Sequence, residues 1–184
     1  MKRFPEYLAT LSRVNGLGKD SAVRWLFYSG MLFSSRDKWW GDFGIRSSAH
    51  EGIDITYYRT LQGEICCFDD TILVPAMADG RIINVCDDFL GQTLVVDPEK
   101  ESLAGRRVIF TYAHIQPQSR LTMGWRIKKD EIIARVCDTR KNPQLPPHLH
   151  FSCFEIEKGV LPEALNWNLF SRDPAVRGIN PVFL

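Results

Sequence analysis

The sequence lacks several features that would assign it at once to a class of protein. Its 184 residues carry a formal net charge of only +1, so charge gives no steering toward nucleic acid or an anionic membrane. The first strongly apolar run, residues 25–33, is far shorter than the roughly 20 residues that a membrane span needs. We therefore expect no transmembrane segment and no nucleic-acid partner.

Cysteines are few, and their pattern is uninformative. The chain has five, an odd number, and none forms a CxxC pair: Cys66, Cys67, Cys86, Cys137 and Cys153. This is a poor disulfide framework, and it favours small buried apolar residues for most of them. Thiolate ligation of a metal by Cys66 or Cys67 is a minor alternative.

Histidine is scarcer still, and every copy lies in one of three short motifs. The motifs are HEGID, TYAHI and PPHLHF, and their histidines are His50, His114, His148 and His150. A zinc ion that does chemistry usually takes three ligands from His nitrogens and carboxylate oxygens and keeps a fourth position for water. His50, Asp54 and His150 would supply that set. Any one motif alone would be read as an ordinary half-buried histidine or a turn aspartate.

The surroundings of these motifs predict strands. The run after His148 is aromatic and branched, and residues two apart on a strand share a face, so His148 and His150 would point the same way. Gly52 followed by Ile-Asp-Ile-Thr favours a turn that runs into a strand, although the spacing of four would also give one face on a helix. Either geometry brings His50 and Asp54 together.

In this order, HEGID at 50–54, YAH at 112–114 and HLHF at 148–151 resemble the lysostaphin and LytM-type zinc metallopeptidases, which cut peptide cross-links in bacterial cell walls. The resemblance covers roughly residues 46–156, and the three motifs together are specific, whereas one HxH alone would be weak. It implies an antiparallel β architecture and a peptide substrate.

The resemblance also implies roles for individual residues. His50, Asp54 and His150 would bind one zinc ion per chain, and His148 and His114 would be the non-ligand catalytic histidines. Such histidines can take a proton from water, give it to the leaving amine or hydrogen-bond the developing oxyanion. We assign the base role to His148 and the stabilising role to His114, a division that the sequence does not itself decide.

The sequence departs from the family pattern at three places, and each departure predicts a difference at the site. Residues 142–147 read NPQLPP where members are usually glycine-rich, which predicts a stiff segment and a differently shaped groove. Ser152 stands where members often have glutamate, which predicts that one outer contact is missing. Some members place a tyrosine before the first ligand to assist the oxyanion, whereas this chain offers Arg46 and, further upstream, Trp39 and Trp40.

Four residues are candidates for lining the substrate groove: Trp39, Trp40, Arg46 and Tyr112. For the two tryptophans, packing of an N-terminal extension onto the sheet is an equal alternative, because large aromatic side chains dominate both cores and interfaces.

The remaining pattern predicts a mainly β fold. Residues 6–14 and 21–33 are expected to form two short helices joined by Asn15-Gly16-Leu17-Gly18. Asp79-Gly80 is a hairpin signal, and a short helix is expected near 163–169. Strands are expected at 72–77, 81–86, 93–96, 108–112, 125–128 and 132–137. We predict an antiparallel β-sandwich or rolled sheet over 46–184, with residues 1–45 as a helical extension packed on it.

Three hypotheses follow. The first is a zinc endopeptidase acting on peptidoglycan stem or cross-link peptides, and the intact set of five site residues favours it. The second is a catalytically silent module of the same fold that binds the cell wall or activates another hydrolase. The third and weakest is a nucleic-acid-binding protein, since residues 16–19 (GLGK) are similar to helix-hairpin-helix turns.

The location of the protein is left open by the sequence. A peptidoglycan substrate would place it in the cell envelope, the periplasm or outside the cell. The N-terminus, however, does not have the pattern of a secretory signal, because Arg3 is followed by Pro5 and Glu6.

Overall fold

The computed structural model describes residues 2–18, 22–100, 105–139 and 144–184. In these ranges the chain forms two α-helices, α1 (Phe4–Val14) and α2 (Trp167–Arg172), and neither is long and apolar enough to cross a membrane. It also forms twelve strands: β1 (Val23–Leu26), β2 (Ile53–Ile55), β3 (Tyr57–Thr60), β4 (Ile65–Cys66), β5 (Leu73–Pro75), β6 (Gly80–Asp87), β7 (Gln92–Asp97), β8 (Arg107–Pro117), β9 (Arg126–Ile127), β10 (Ile132–Val136), β11 (Leu149–Ile156) and β12 (Val176–Ile179).

The strands form two antiparallel sheets. The larger has nine strands, in the order β12-β11-β8-β7-β6-β9, with β10 joining β8 to β5 and β2 pairing with β11. The smaller has the order β1-β3-β4. Every pairing is antiparallel, which confirms the predicted fold class.

The core lies where α1 packs on the central strands. Phe151, in the middle of β11, is fully buried, and its ring centroid lies 5.4 Å from Tyr7 of α1 and 5.2 Å from Tyr112 of β8. Such aromatic pairs contribute about 0.5–1.5 kcal/mol each beyond the area that they bury. The helix therefore stabilises the strand that carries the HLHF motif.

The first predicted helix is confirmed as α1. Pro5 fits the first turn, where a missing N–H leaves no bond unmade, and Glu6 accepts the backbone N–H of Arg3 at 3.1 Å. The chain leaves the helix through Gly16, whose φ of +59° favours glycine. The boundary at residue 45 between an extension and a peptidase domain stays a prediction.

The second predicted helix, 21–33, is wrong over its described part. Residues 23–26 form β1, which pairs with β3, and a 3-10 turn follows at Ser29–Met31. The reason is tertiary: Trp25 packs edge-on against Tyr58 at 6.2 Å and Phe68 at 5.9 Å, so a β-branched and aromatic run is stabilised as a strand. Ser21 and Lys19, the latter from the GLGK motif, lie outside the described residues.

The predicted hairpin around Asp79-Gly80 is also wrong, although strands form on both sides of it. β5 pairs with β10, whereas β6 pairs with β7 and β9. β5 ends at Pro75, which has no N–H to donate, and the next residue, Ala76, donates its N–H to Glu131 O at 2.8 Å. The chain thus stays beside β10 until β6 begins.

The tail packs against the sheet, as predicted. Phe170 of α2 stacks on Phe154 of β11, with ring centroids 4.7 Å apart and planes 9° apart. The helix itself starts later than expected, at Trp167, because Asn166 caps it by accepting from two backbone N–H groups, and residues 162–164 form a 3-10 turn instead.

Candidate metal centre and active site

Strand pairing brings the three predicted ligands together. β2 and β11 are antiparallel partners, and their register sets Asp54 directly opposite His150. His50 precedes β2 by a turn through Gly52, where an added Cβ would clash with Ser152 and lie 2.8 Å from His150 Nε2. Only glycine lets the chain pass so close to β11, so the predicted turn into a strand is confirmed.

The ligand atoms of these residues form a compact triangle. His50 Nε2 lies 3.1 Å from Asp54 Oδ1, His150 Nδ1 lies 2.8 Å from the same oxygen, and the two nitrogens are 3.0 Å apart. A tetrahedral zinc ion with ligands at about 2.0–2.1 Å would separate its ligand atoms by roughly 3.3 Å. The triangle has the size that such an ion needs, and all three side chains are buried.

The protons of the two histidines also fit a metal ion. His50 Nδ1 lies 3.1 Å from the carbonyl oxygen of Leu32, which can only accept, so Nδ1 carries a proton and Nε2 is the nitrogen that can present a lone pair to a metal. That lone pair faces a carboxylate oxygen of Asp54. Two such atoms at 3.1 Å need a proton or a metal ion between them, and a metal ion bound by both would meet that need. Neither Cys66 nor Cys67 belongs to this group of described residues.

The outer oxygen of Asp54 is held by residues from the N-terminal segment. Trp39 Nε1 donates to Oδ2 at 2.6 Å, and Arg46 Nη2 lies 3.5 Å from it. Burial alone would raise the pKa of Asp54, but the neighbouring rings of His50, His148 and His150 outweigh burial and hold that pKa well below its usual range. Asp54 is therefore a carboxylate with one oxygen turned to the ligand triangle.

Removing the indole donor should weaken metal binding without unfolding the protein. We expect Trp39→Phe to lower zinc affinity about 10–100-fold, because partners behind a ligand orient it for the metal. Competition with a zinc chelator would measure this. Trp40→Phe is the matched control, since Trp40 lies beside the site without a bond to Asp54. Wild-type affinity in Trp39→Phe would show that the indole does not orient the carboxylate.

Ser152 corrects one expectation. The sequence predicts that the outer contact is missing here, yet Ser152 Oγ lies 2.7 Å from His150 Nε2. The hydroxyl can accept a proton from Nε2–H, and in that arrangement Nδ1 of His150 is free for a metal. Ser152 lies two residues beyond His150 on the same face of β11, so its short side chain reaches the ring of His150 directly.

His148 lies beside the triangle but is not part of it. Its Nδ1 lies 2.9 Å from Pro146 O, which can only accept, so Nδ1 carries the proton. Nε2, with its lone pair, is 3.8 Å from Asp54 Oδ1. Burial lowers the pKa of His148 to about 3, against the opposite effect of the Asp54 charge, so the ring is neutral. The residue offers a proton acceptor next to the candidate metal position.

His114 stands on the other side of His148, with ring centroids 4.8 Å apart. Its Nδ1 lies 3.0 Å from Asp88 Oδ1, and its backbone N–H donates to Asp88 Oδ2 at 2.9 Å. Burial would raise the pKa of Asp88, but the hydrogen bonds and charge of His114 hold it well below the usual range. Sequence reasoning missed Asp88, and the one local signal for it is the Asp-x-x-Gly turn of residues 88–91.

A cleft of about 460 Å³ is lined by the three candidate ligands together with Asp88, His114 and His148. Of the predicted groove residues, Trp40 and Arg46 lie on its wall, whereas Trp39 and Tyr112 are buried and are not among its lining residues. Tyr112 shares the core face of β8 with Phe110, is fully buried, and accepts the N–H of Met77 at 2.9 Å. Tyr112 pairs with Phe151 on the core face of the sheet, opposite to the face of Ala113 and His150, and the bulged backbone at His114 lets that histidine reach the cleft.

Two aromatic residues of the cleft were not predicted. Phe89 is 68% exposed and contacts the ring of His114 at 4.6 Å. Trp167 of α2 lies 5.2 Å from the ring of His150 and donates its N–H to Thr93 Oγ1 at 2.9 Å. Neither belongs to a recognisable motif, and only the folded chain brings them to the site.

The proline segment and the cysteines can be compared with expectation within the described residues. Pro146 and Pro147 supply carbonyl acceptors, to His148 and to Thr56 Oγ1 at 2.8 Å, whereas residues 142 and 143 lie outside the described ranges. All five cysteines are free. Cys153 alone among them is fully buried, so burial is confirmed for one cysteine and not for most.

Comparison with known proteins places the chain in a family. The model of peptidase family M23 matches residues 48–162, well over half of the chain. No curated protein sequence matches. Solved structures with similarity include a zinc-containing peptidase from Vibrio cholerae, at 15% identity and a TM-score of 0.49, with 86% of this chain and 36% of that chain covered.

Lysostaphin is 18% identical with a TM-score of 0.44, over 70% of this chain and 49% of that chain. The catalytic domain of a mutant of EnpA, a prophage-encoded M23 protein from Enterococcus faecalis, is 18% identical with a TM-score of 0.39. The match covers 78% of this chain and 97% of that chain. The chain spans 36% and 49% of the length of the first two structures. On the match to residues 48–162, the chain belongs to peptidase family M23, the LytM-type peptidases that its three histidine motifs resemble.

Proposed function

We propose that the protein is a zinc-dependent endopeptidase whose substrates are peptidoglycan stem or cross-link peptides. The observation that carries the proposal is the buried triangle of His50, Asp54 and His150 at a cleft that also holds two further histidines. Membership of a peptidase family supports hydrolysis of a peptide bond. The cell-wall substrate rests on the resemblance alone.

The chemistry divides between the ligand triangle and the other two histidines. A zinc ion held by His50, Asp54 and His150 would polarise a carbonyl oxygen and lower the pKa of a bound water toward about 7. His148 presents the lone pair of Nε2 next to that position, so it takes the proton of the attacking water and passes it to the leaving amine. His114 faces the same space and hydrogen-bonds the oxyanion.

The shape of the cleft suits an extended peptide. Trp40 and Phe89 supply apolar walls, Trp167 covers the flank of His150, and Arg46 adds a cation beside Asp54. Peptides are commonly held in such clefts beside strand ends, by apolar contacts and a few placed polar groups.

Metal removal tests the proposal most directly. We expect that purified protein holds about one zinc per chain and releases new amines from purified peptidoglycan, and that a chelator abolishes release until about one equivalent of zinc is returned. Amine release that is unchanged after the metal has been removed would contradict the proposal. One zinc per chain without release from any wall peptide would favour the silent binding module instead.

A further inference from the structure

A buried carboxylate lies behind one of the two non-ligand histidines. Asp88 is in the loop between β6 and β7, and its side chain is 1% exposed. Its Oδ1 accepts the N–H groups of Leu90 at 2.9 Å and Gly91 at 2.8 Å and lies 3.0 Å from His114 Nδ1. Its Oδ2 accepts from Thr93 Oγ1 at 2.8 Å and from the N–H of His114 at 2.9 Å.

These five hydrogen bonds fix the carboxylate in one orientation. The turn holds it from one side through the N–H groups of Leu90 and Gly91, and Thr93 of β7 holds it from the other. His114 therefore meets a partner that cannot rotate away. A carboxylate with both oxygens bonded in this way is a rigid acceptor rather than a solvated surface charge.

The backbone of His114 is shaped to meet that carboxylate. Its φ is +60°, a left-handed value that residues other than glycine seldom adopt. The register of β7 against β8 shifts here, from Gln92 opposite Ile115 to Leu94 opposite Tyr112, so β8 carries one extra residue in a bulge. Bulges of this kind re-aim a side chain. The bond from its N–H to Asp88 Oδ2 offsets the strain.

The hydrogen bonds also determine which ring nitrogen of His114 carries the proton. An ionised carboxylate only accepts, so Nδ1 must donate. Nε2 then lies on the opposite side of the ring, and this side borders the cleft. The ring of His114 sits between those of Phe89 and His148, with centroids 4.6 Å and 4.8 Å away. His148 differs, because the partner of its Nδ1 is the neutral carbonyl of Pro146.

We propose that Asp88 is a positioning residue for His114: its carboxylate keeps the ring proton on Nδ1 and turns Nε2 toward the reacting atoms in the cleft. What Nε2 does there rests on the proposed peptidase function. The arrangement of the pair itself depends only on this chain. When Nε2 donates to an oxyanion, the same carboxylate balances the charge of the ring, which suits the stabilising role.

The test compares Asp88→Asn with the wild type. Asparagine keeps the shape but removes the charge and one acceptor. We expect kcat to fall by about 100-fold, with KM changed less than about threefold and zinc content unchanged. A long-range ¹H–¹⁵N spectrum of the histidine rings supplies a second measurement, independent of turnover. In the zinc-loaded wild type it should show His114 protonated on Nδ1, and in Asp88→Asn this state should be lost or mixed.

Asp69→Asn is the matched control. Asp69 Oδ1 accepts the N–H of Thr71 at 2.8 Å, the same bond two residues along the chain that Asp88 makes to Leu90, but it contacts no histidine and lies outside the cleft. We expect wild-type kcat and an unchanged His114 spectrum for this variant.

The outcomes separate the two proposals. A wild-type His114 protonated on Nε2 alone would overturn the positioning role, and so would a kcat for Asp88→Asn within about threefold of wild type with an unchanged ring. If Asp88→Asn does not fold, the wild-type ring spectrum decides by itself. If the wild type hydrolyses no wall peptide, the peptidase proposal fails, whereas the spectra still show whether Asp88 holds the ring.

Discussion

Replacing His150 with alanine is expected to remove the bound zinc and to lower peptide hydrolysis by about a thousandfold or more, because a catalytic zinc contributes several kcal/mol to transition-state stabilisation. His150 Nδ1 is one of three candidate ligand atoms and lies 2.8 Å from Asp54 Oδ1. With two ligands left the site would hold zinc too weakly to retain it. Asp54→Ala should behave alike. Zinc per chain after exhaustive dialysis and amine release from peptidoglycan measure the two effects.

His114→Ala is the matched control for this loss. It deletes a histidine from the same cleft but not from the ligand triangle, so it should keep about one zinc per chain. Circular dichroism of each variant would show that the fold persists, since β11 is held by β8 and β12 as well as by β2. Full zinc content in His150→Ala would refute the assignment of this residue as a ligand.

The proximity of the candidate ligands could be predicted from the sequence because each motif is local. Gly52 indicates a turn, and the aromatic run after His148 indicates a strand. One antiparallel pairing, that of β2 with β11, is then enough to bring the two motifs together. The roles of ligand and catalyst stay predictions, since position alone does not report metal binding. The local sequence pattern does predict which side chains lie close together.

The partners behind these histidines could not be predicted, because they come from distant parts of the chain. Trp39 bonds Asp54 from an irregular segment, and Asp88 meets His114 across 26 residues of sequence. Ser152 was expected to make no contact because the family members often have a longer side chain, glutamate, at this position. A hydrogen bond depends on the distance between two atoms, and residue type alone does not fix that distance.

The errors in the fold have the same origin. Residues 23–26 have no helix-breaking residue, and only pairing with β3 and the pocket for Trp25 between Tyr58 and Phe68 make them a strand. Asp79-Gly80 looks like a hairpin turn, but β5 finds its partner in β10, much later in the chain. Local propensity predicts where strands begin, whereas partner choice depends on contacts that are remote in sequence.

Replacing His148 with alanine should keep zinc and lose hydrolysis. The ligand atoms lie within 3.1 Å of one another, whereas His148 Nε2 is 3.8 Å from Asp54 Oδ1, and Nδ1 is committed to Pro146 O. Loss of a general base lowers rates by about 10²–10⁴-fold. We therefore expect about one zinc per chain and a fall in kcat of that size, measured on the same peptidoglycan preparation as the wild type.

The comparison with His150→Ala makes this prediction decisive. The ring of His148 packs edge-on against Trp39 at 5.2 Å, and Trp39 holds the outer oxygen of Asp54, so a small loss of zinc affinity is consistent with an indirect effect. Assays at saturating zinc remove that effect and leave the loss of the base. If His148→Ala stripped the metal as completely as His150→Ala does, the division between ligand and catalyst would be wrong, and His148 would belong to the metal site.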